Sequence, residues 1–144
     1  MSKPKRPLRS DYKVFYPIDT RWSDNDIYGH VNNVTYYAYF DSAANRYLIE
    51  EGGLDINDGS VVGYVVSSGC DYHAPVAYPE GLEAGLRVDR LGGSSVQYGI
   101  AIFRRGEEEA AAHGHFVHVF VERAANRSVA VPTGLRAALE KILA

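Results

Sequence analysis

Apolar and polar residues change their spacing several times along this chain of 144 residues. Residues 12–22, YKVFYPIDTRW, alternate and predict a strand, and Pro17 favours the edge of a sheet or a bulge for it. Over residues 33–50 the apolar side chains cover nearly the whole circumference of a helix. This pattern predicts a long helix that is buried on most sides. Gly52 or Gly53 can cap its C-terminus.

Strand spacing dominates the second half of the chain. Strands are predicted in succession over residues 61–78, 82–91, 94–103, 110–122 and 128–132. We expect them to form an antiparallel meander in which Gly92-Gly93 makes a tight turn with positive φ. Thr133 can cap a closing helix. The order of elements predicts an α+β fold, with one curled antiparallel sheet wrapped around the central helix.

The composition is that of a single globular domain, expected over residues 11–144 after a flexible basic tail at residues 1–10. The net charge of -3 gives no support to nucleic-acid binding. No apolar run reaches the roughly 18 residues that span a bilayer, and the N-terminus lacks a signal-peptide pattern. With a single cysteine, Cys70, these features predict a cytoplasmic protein that does not associate with membranes.

Two carboxylates, Asp24 and Asp26, precede the long helix in the stretch DNDIYGHVNNVT. The stretch begins like a calcium-binding loop, but Tyr28 and Thr35 stand where further oxygen ligands are needed, so we expect no metal. Asp24 ends the strand and can bond to backbone amides of a turn. Asp26 lies about seven residues before the helix, which is too far back to cap its first turn.

The position of Asp26 also suits acyl transfer. A loop that turns at Gly29 can return the carboxylate over the helix N-terminus near Asn33, where free amides and the helix dipole stabilise negative charge. Thioester hydrolysis needs a carboxylate and an oxyanion site, because a thiolate with a pKa near 8.5 can leave without a general acid. The residues alone leave a turn-forming and a catalytic role for Asp26 open.

The segment WSDNDIYGHVNNVTYYAYFDSA resembles a known signature, D-x-D-x-x-G-H-V-N-N-x-x-Y followed by an aromatic-rich helix. The signature is that of the hot-dog-fold acyl-CoA thioesterases of the 4-hydroxybenzoyl-CoA thioesterase family. The resemblance extends over nearly the whole chain from residue 12. It implies the hot-dog fold, hydrolysis of an acyl-CoA thioester to free acid and CoA, and no metal or redox cofactor. It also implies a homodimer or a dimer-based higher oligomer that binds acyl-CoA between subunits, with an acyl-carrier-protein thioester as the alternative substrate.

The resemblance assigns roles to residues of the motif. Asp26 becomes the catalytic carboxylate, as nucleophile or general base, and the backbone amide of Asn33 becomes the oxyanion donor. A structural role in the loop, bonded to the backbone, is expected for His30. The residues expected to shape the substrate site are Tyr28, Gly29, His30 and Asn32.

Two other functions stay open on the sequence alone. A non-catalytic acyl-CoA-binding module could use the same fold. A hot-dog hydratase or dehydratase would pair an acidic residue with a histidine, but its motif is not visible.

His113 and His115 share one face of a strand while His118 points to the other, and solvated or interface roles are expected for the first two. Cys70 is predicted to be a small core residue.

Overall fold

The structure is a computed structural model that describes residues 5–144. Residues 1–4 of the predicted tail lie outside the described residues. Residues 6–9 of the tail contact the rest of the protein. The amide of Ala110 donates to the carbonyl of Pro7 over 2.9 Å, and the amide of Arg9 donates to Glu108 over 2.8 Å. These bonds lay the segment across the outer face of the sheet, over Phe103.

The described residues form one sheet and two α-helices. In chain order these are β1 (Val14–Asp19), α1 (Asn33–Glu50), β2 (Val61–Tyr72), β3 (Gly81–Leu91), β4 (Ser95–Arg104), β5 (Ala112–Glu122), β6 (Arg127–Ser128) and α2 (Thr133–Glu140). The strand order is β1-β3-β4-β5-β2, with the short β6 beside β5, and the paired strands are antiparallel. The predicted α+β architecture is confirmed.

The position of β2 corrects the predicted meander. Strands β3, β4 and β5 are sequential neighbours, but β2 pairs with β5 at one edge, while β1 pairs with β3 at the other. Alternation identifies a strand without identifying its partner, which is why the sequence did not reveal this crossover. β2 also ends at Tyr72 instead of Tyr78, because the chain turns there and Pro75 and Pro79 offer no amide to a ladder.

The edge position predicted from Pro17 is confirmed. β1 is the terminal strand of the sheet, and Pro17 lies opposite Glu83 of β3. A proline is tolerated there because one side of an edge strand has no ladder partner to lose.

Helix α1 begins and ends where the sequence predicted, but its burial is narrower than predicted. One stripe at helical spacing is buried against the sheet: Tyr36, Tyr39, Phe40, Ala43, Ala44, Tyr47 and Leu48. The opposite side is exposed, including Val34 with 69% and Ile49 with 40% of their surface accessible. The expectation that the helix is buried on most sides is therefore wrong for a single chain, because the curled sheet covers one side only.

Three local predictions about chain ends and turns have different outcomes. Gly53 adopts a φ of +69° just after α1, which confirms the predicted glycine cap. Pro132, not Thr133, occupies the N-cap position of α2, because the helix starts one residue earlier than a Thr133 cap would require. The β3–β4 turn closes through the amide of Gly92 and the carbonyl of Ser95, but neither Gly92 nor Gly93 has a left-handed φ, so the predicted turn with positive φ is wrong.

Candidate active site

A tight reversal of the chain between β1 and α1 carries Asp26. The Asp26 amide donates to the carbonyl of His30 over 2.9 Å, and the Gly29 amide donates to the carbonyl of Asp26 over 3.0 Å. Oδ1 of Asp26 accepts from the amide of Tyr28 at 2.9 Å. The reversal requires a φ of +81° at Gly29, a conformation that glycine adopts without steric cost. Asp26 thus has a turn-forming contact through one oxygen, and its side chain is only half-buried.

Asp24 fixes this reversal to helix α1. Its carboxylate is 2% exposed and accepts bonds from the Tyr39 hydroxyl at 2.7 Å and the Arg21 amide at 2.9 Å. Its carbonyl accepts from the amide of Asn32 at 2.9 Å. Burial by itself raises the pKa of Asp24, but the hydrogen bonds from Tyr39 and Arg21 outweigh it and lower that pKa below its ordinary value. The turn-forming role expected for Asp24 is confirmed.

The first turn of α1 uses most of its amides internally. Oδ1 of Asn32 accepts from the amide of Val34 at 2.9 Å, so Asn32 is the N-cap. The carbonyl of Asn32 accepts from the amide of Thr35 at 2.9 Å. Among residues 5–144, the Asn33 amide donates no hydrogen bond. This amide can therefore donate to a ligand at the positive end of the helix dipole.

Several side chains of the reversal point into solvent in the single chain. Ile27 is 94% and Tyr28 is 81% exposed, and the His30 side chain is also exposed. His30 takes part in the turn only through its main-chain carbonyl, which differs from the partly buried, backbone-bonded imidazole expected from the sequence. Together with Trp22, which is 78% exposed, these residues form an apolar surface around Asp26.

The structure adds residues that the sequence did not indicate. A small cleft of about 280 Å³ lies beside the start of α1 and is lined by Tyr36, Tyr72, His73, Ala74 and Pro75. The hydroxyl of Tyr72 donates to the carbonyl of Asn33 over 3.1 Å. Only the edge position of β2 and the turn that follows it bring these residues to the helix, so no local sequence signal could have revealed them.

The remaining histidines lie as the strand alternation predicted. His118 points inward and is 1% exposed, its Nδ1 lies 3.2 Å from the Tyr98 hydroxyl, and burial lowers its pKa. His113 and His115 lie on the outer face, where Nδ1 of His113 is 2.8 Å from Nε2 of His73. Within residues 5–144, no group of three or more His, Cys, Asp or Glu residues is arranged to hold a metal ion.

Cys70 packs against the main core from β2 but is only half-buried. Burial raises the pKa of its thiol to about 11. At neutral pH this cysteine is a thiol, not a thiolate, and so is a poor nucleophile. The structure therefore gives no support to a catalytic role for it.

The sheet order and the long central helix define the hot-dog fold of the α+β class. Residues 28–111, more than half of the chain, match the model of the thioesterase superfamily, and the chain belongs to this family. The matched span includes Asn33 and begins just after Asp26. Membership supports thioester hydrolysis as the class of activity.

Two solved structures share the fold of this chain. The crystal structure of the PA5185 protein from Pseudomonas aeruginosa strain PAO1 is 64% identical, covers 97% of this chain and 98% of its own, and superposes with a TM-score of 0.96. Slr0204 from Synechocystis, a 1,4-dihydroxy-2-naphthoyl-CoA thioesterase, is 16% identical, covers 89% and 96% of the two chains, and has a TM-score of 0.79, which shows the shared fold.

A curated relative matches over a shorter region. The YsmA protein of Bacillus subtilis (strain 168) is 28% identical over 93 residues, which are 65% of this chain and 63% of that protein. The chain therefore spans less than two thirds of the length of that relative.

In the described part of the protein, neither helix combines the length and apolar character needed to cross a membrane.

Proposed function

We propose that this protein hydrolyses an acyl-CoA thioester to a free acid and CoA. Asp26 is the catalytic carboxylate and the Asn33 amide is the oxyanion donor. One observation carries the proposal: within the described chain the Asn33 amide is left without an acceptor, while the amides of Val34 and Thr35 are both used. The turn that bears Asp26 directly precedes this amide and is joined to the helix start through Asp24 and Asn32.

The proposed reaction needs only these two groups. The ionised Asp26 carboxylate attacks the thioester carbonyl carbon or removes a proton from an attacking water. The carbonyl oxygen gains negative charge, which the Asn33 amide and the helix dipole stabilise. The carbon–sulfur bond then breaks and the thiolate of CoA leaves. In the nucleophilic route, water hydrolyses the resulting anhydride and restores the carboxylate.

A CoA thioester is favoured over other thioesters by two lines of support. The chain belongs to the thioesterase superfamily, and Slr0204, with the same fold, acts on a CoA thioester. An acyl group on a carrier protein presents the same reacting atoms. Assays with the same acyl group on CoA and on a carrier protein therefore show which of the two thioesters the protein hydrolyses.

We also propose that the active form is a homodimer or an assembly of such dimers. Strand β2 is a free edge of the sheet, and an edge strand can pair with a second copy. Its side chains include Val65 at 44% and Val66 at 60% exposure, and Ile27 and Tyr28 add apolar surface near Asp26. A second copy on this surface would cover the open side of the candidate site and form the acyl-CoA site between subunits.

Residues of the reversal have different proposed contributions to the substrate site. Tyr28 and His30 have exposed side chains that can contact substrate, and Gly29 gives the turn its shape. The side chain of Asn32 is occupied as the helix cap, so we assign it to holding the first turn. The test is release of free thiol from short, long and aromatic acyl-CoAs by the wild type and Asp26→Asn. Activity that survives in the variant would overturn the proposed chemistry.

A further inference from the structure

We infer that Tyr72 is a positioning residue for the proposed oxyanion site, an inference that rests on the proposed function. Tyr72 is the last residue of β2, which is the strand farthest from β1 in the sheet order. Its hydroxyl donates to the carbonyl of Asn33 over 3.1 Å. The two residues are 39 positions apart in the sequence and lie on different elements.

The bond holds one particular peptide group. The peptide that joins Asn33 and Val34 has its carbonyl bonded to Tyr72 and its amide bonded to Oδ1 of Asn32. The Val34 amide is thus held by a side chain, and the Asn33 carbonyl, which also accepts the helical bond from the Tyr37 amide, has the Tyr72 hydroxyl as a second donor. The amide of Asn33 lies on the other side of the same Cα atom, so fixing this peptide restricts the direction in which the Asn33 N–H points.

The Tyr72 ring is itself held in place. It packs edge-on against Tyr36 with centroids 5.1 Å apart, and both rings line the cleft of about 280 Å³ beside the helix start. Burial raises the pKa of Tyr72 above its ordinary value, so the hydroxyl keeps its proton and remains a donor at neutral pH. Substitution by phenylalanine removes the donor and leaves the ring contact.

An oxyanion donor works only if it points at the oxygen that becomes charged, so a small misalignment lowers kcat more than it weakens substrate binding. Tyr72→Phe should therefore lower kcat about tenfold and leave KM within about twofold. Tyr64→Phe is the matched control, because Tyr64 lies on the same strand with 47% exposure against 45% for Tyr72, and the described residues offer its hydroxyl no hydrogen-bond partner. The two variants should unfold at closely similar temperatures.

The experiment measures steady-state kinetics of thiol release for wild type, Tyr72→Phe, Tyr64→Phe and Asp26→Asn with one acyl-CoA. A lowered kcat at unchanged KM and unchanged melting temperature, in Tyr72→Phe alone of the two tyrosine variants, supports the inference. An unchanged kcat, or a change confined to KM, overturns it while the loss of activity in Asp26→Asn leaves the proposed function standing. A wild type without turnover overturns the proposed function and this inference together.

Discussion

The hydroxyl of Tyr39 donates a hydrogen bond of 2.7 Å to Oδ2 of Asp24, and both residues are buried. Tyr39 lies in the second turn of helix α1, so this bond joins the middle of the motif to the helix that follows it. The carboxylate of Asp24 also accepts a hydrogen bond from the Arg21 amide, and its main-chain carbonyl accepts one from the Asn32 amide. Asp24 therefore joins the turn to the helix through buried hydrogen bonds, whereas the half-buried Asp26 carboxylate uses only Oδ1 in the turn and keeps Oδ2 for the proposed chemistry.

Loss of the Asp24 contact should lower stability. Tyr39→Phe removes one of the two donors to Oδ2 of the buried Asp24 carboxylate and leaves the Arg21 amide as the other, and we expect the free energy of unfolding to fall by about 1–3 kcal/mol in urea titrations. Tyr64→Phe, which removes a hydroxyl without a partner among the described residues, should change it by less than about 0.5 kcal/mol. Equal effects of the two substitutions would show that the bond contributes nothing.

The same contact predicts a pH dependence. The pKa of Asp24 is lower in the folded protein than its ordinary value of 3.8, so its contribution to stability is present above that value. The contribution is lost as the pH falls through the folded pKa. Wild type should therefore lose stability on acidification below about pH 4 more steeply than Asp24→Asn, which has no carboxylate to protonate. Parallel curves of unfolding free energy against pH for the two proteins would contradict this.

The positive φ of Gly29 gives a third prediction. A Cβ at this position meets no atom within 4 Å, so Gly29→Ala is unfavourable only because of its backbone conformation, by about 1–2 kcal/mol. The strain should also displace Asp26 and lower kcat. Gly134→Ala is the control, because Gly134 also has free space but lies in the first turn of α2 without a left-handed φ. That substitution should be neutral or stabilise the protein by up to about 1 kcal/mol. A Gly29→Ala variant as stable and active as wild type would contradict the account.

His118 predicts a dependence on mild acid. Burial keeps its pKa below the ordinary 6.5, although Asp41 acts in the opposite direction. The unfolded chain therefore binds more protons below about pH 6.5, and stability should fall as the pH decreases from there. His118→Gln can still bond the Tyr98 hydroxyl and should flatten this fall in thermal melts between about pH 7 and 5. The fall should not vanish, because burial also lowers the pKa of His73. His30→Gln, at an exposed position, is the control. If it reduced the pH dependence of stability as much as His118→Gln does, that dependence could not be attributed to His118.

The free edge of β2 predicts the effect of a charge on assembly. Val66 lies at the bulge of β2 and is 60% exposed. Val66→Asp would bury an unpaired charge in the proposed dimer interface and should weaken association by about a hundredfold or more in sedimentation experiments. Ile56→Asp, at a position 50% exposed in the loop after α1, is the control and should leave assembly unchanged. A wild type that sediments as a monomer would contradict the proposed assembly.

The sequence predicted those parts of the structure that depend on local spacing. The bounds of α1 and the placement of His118 on the opposite strand face from His113 follow from periodicity within one element, and the edge position of β1 follows from Pro17. The pairing of β2 with β5 could not be predicted, because the alternation of apolar and polar residues within a strand does not identify the strand with which it pairs. For the same reason Tyr72, which meets Asn33 only through that pairing, was not predicted.

The candidate site was predicted through its motif and not through its contacts. Asp26 and Gly29 were singled out from their positions in the stretch, and the structure places both in one reversal before α1. The bond from Tyr39 to Asp24 could not be predicted, since helical spacing marked Tyr39 as an apolar core residue. An exposed His30 side chain was also missed, because exposure depends on the path of the whole turn.

The role of Asp26 is the central claim, and thiol release by wild type and Asp26→Asn tests it most directly. The variant keeps an oxygen that can accept the Tyr28 amide, so the turn should persist while the ionised carboxylate is lost. We expect kcat to fall by about 10²–10⁴-fold at an unchanged melting temperature, with Asp58→Asn, at an exposed loop position, as active as wild type. Full activity in Asp26→Asn would contradict the claim and leave Asp26 as a residue of the turn.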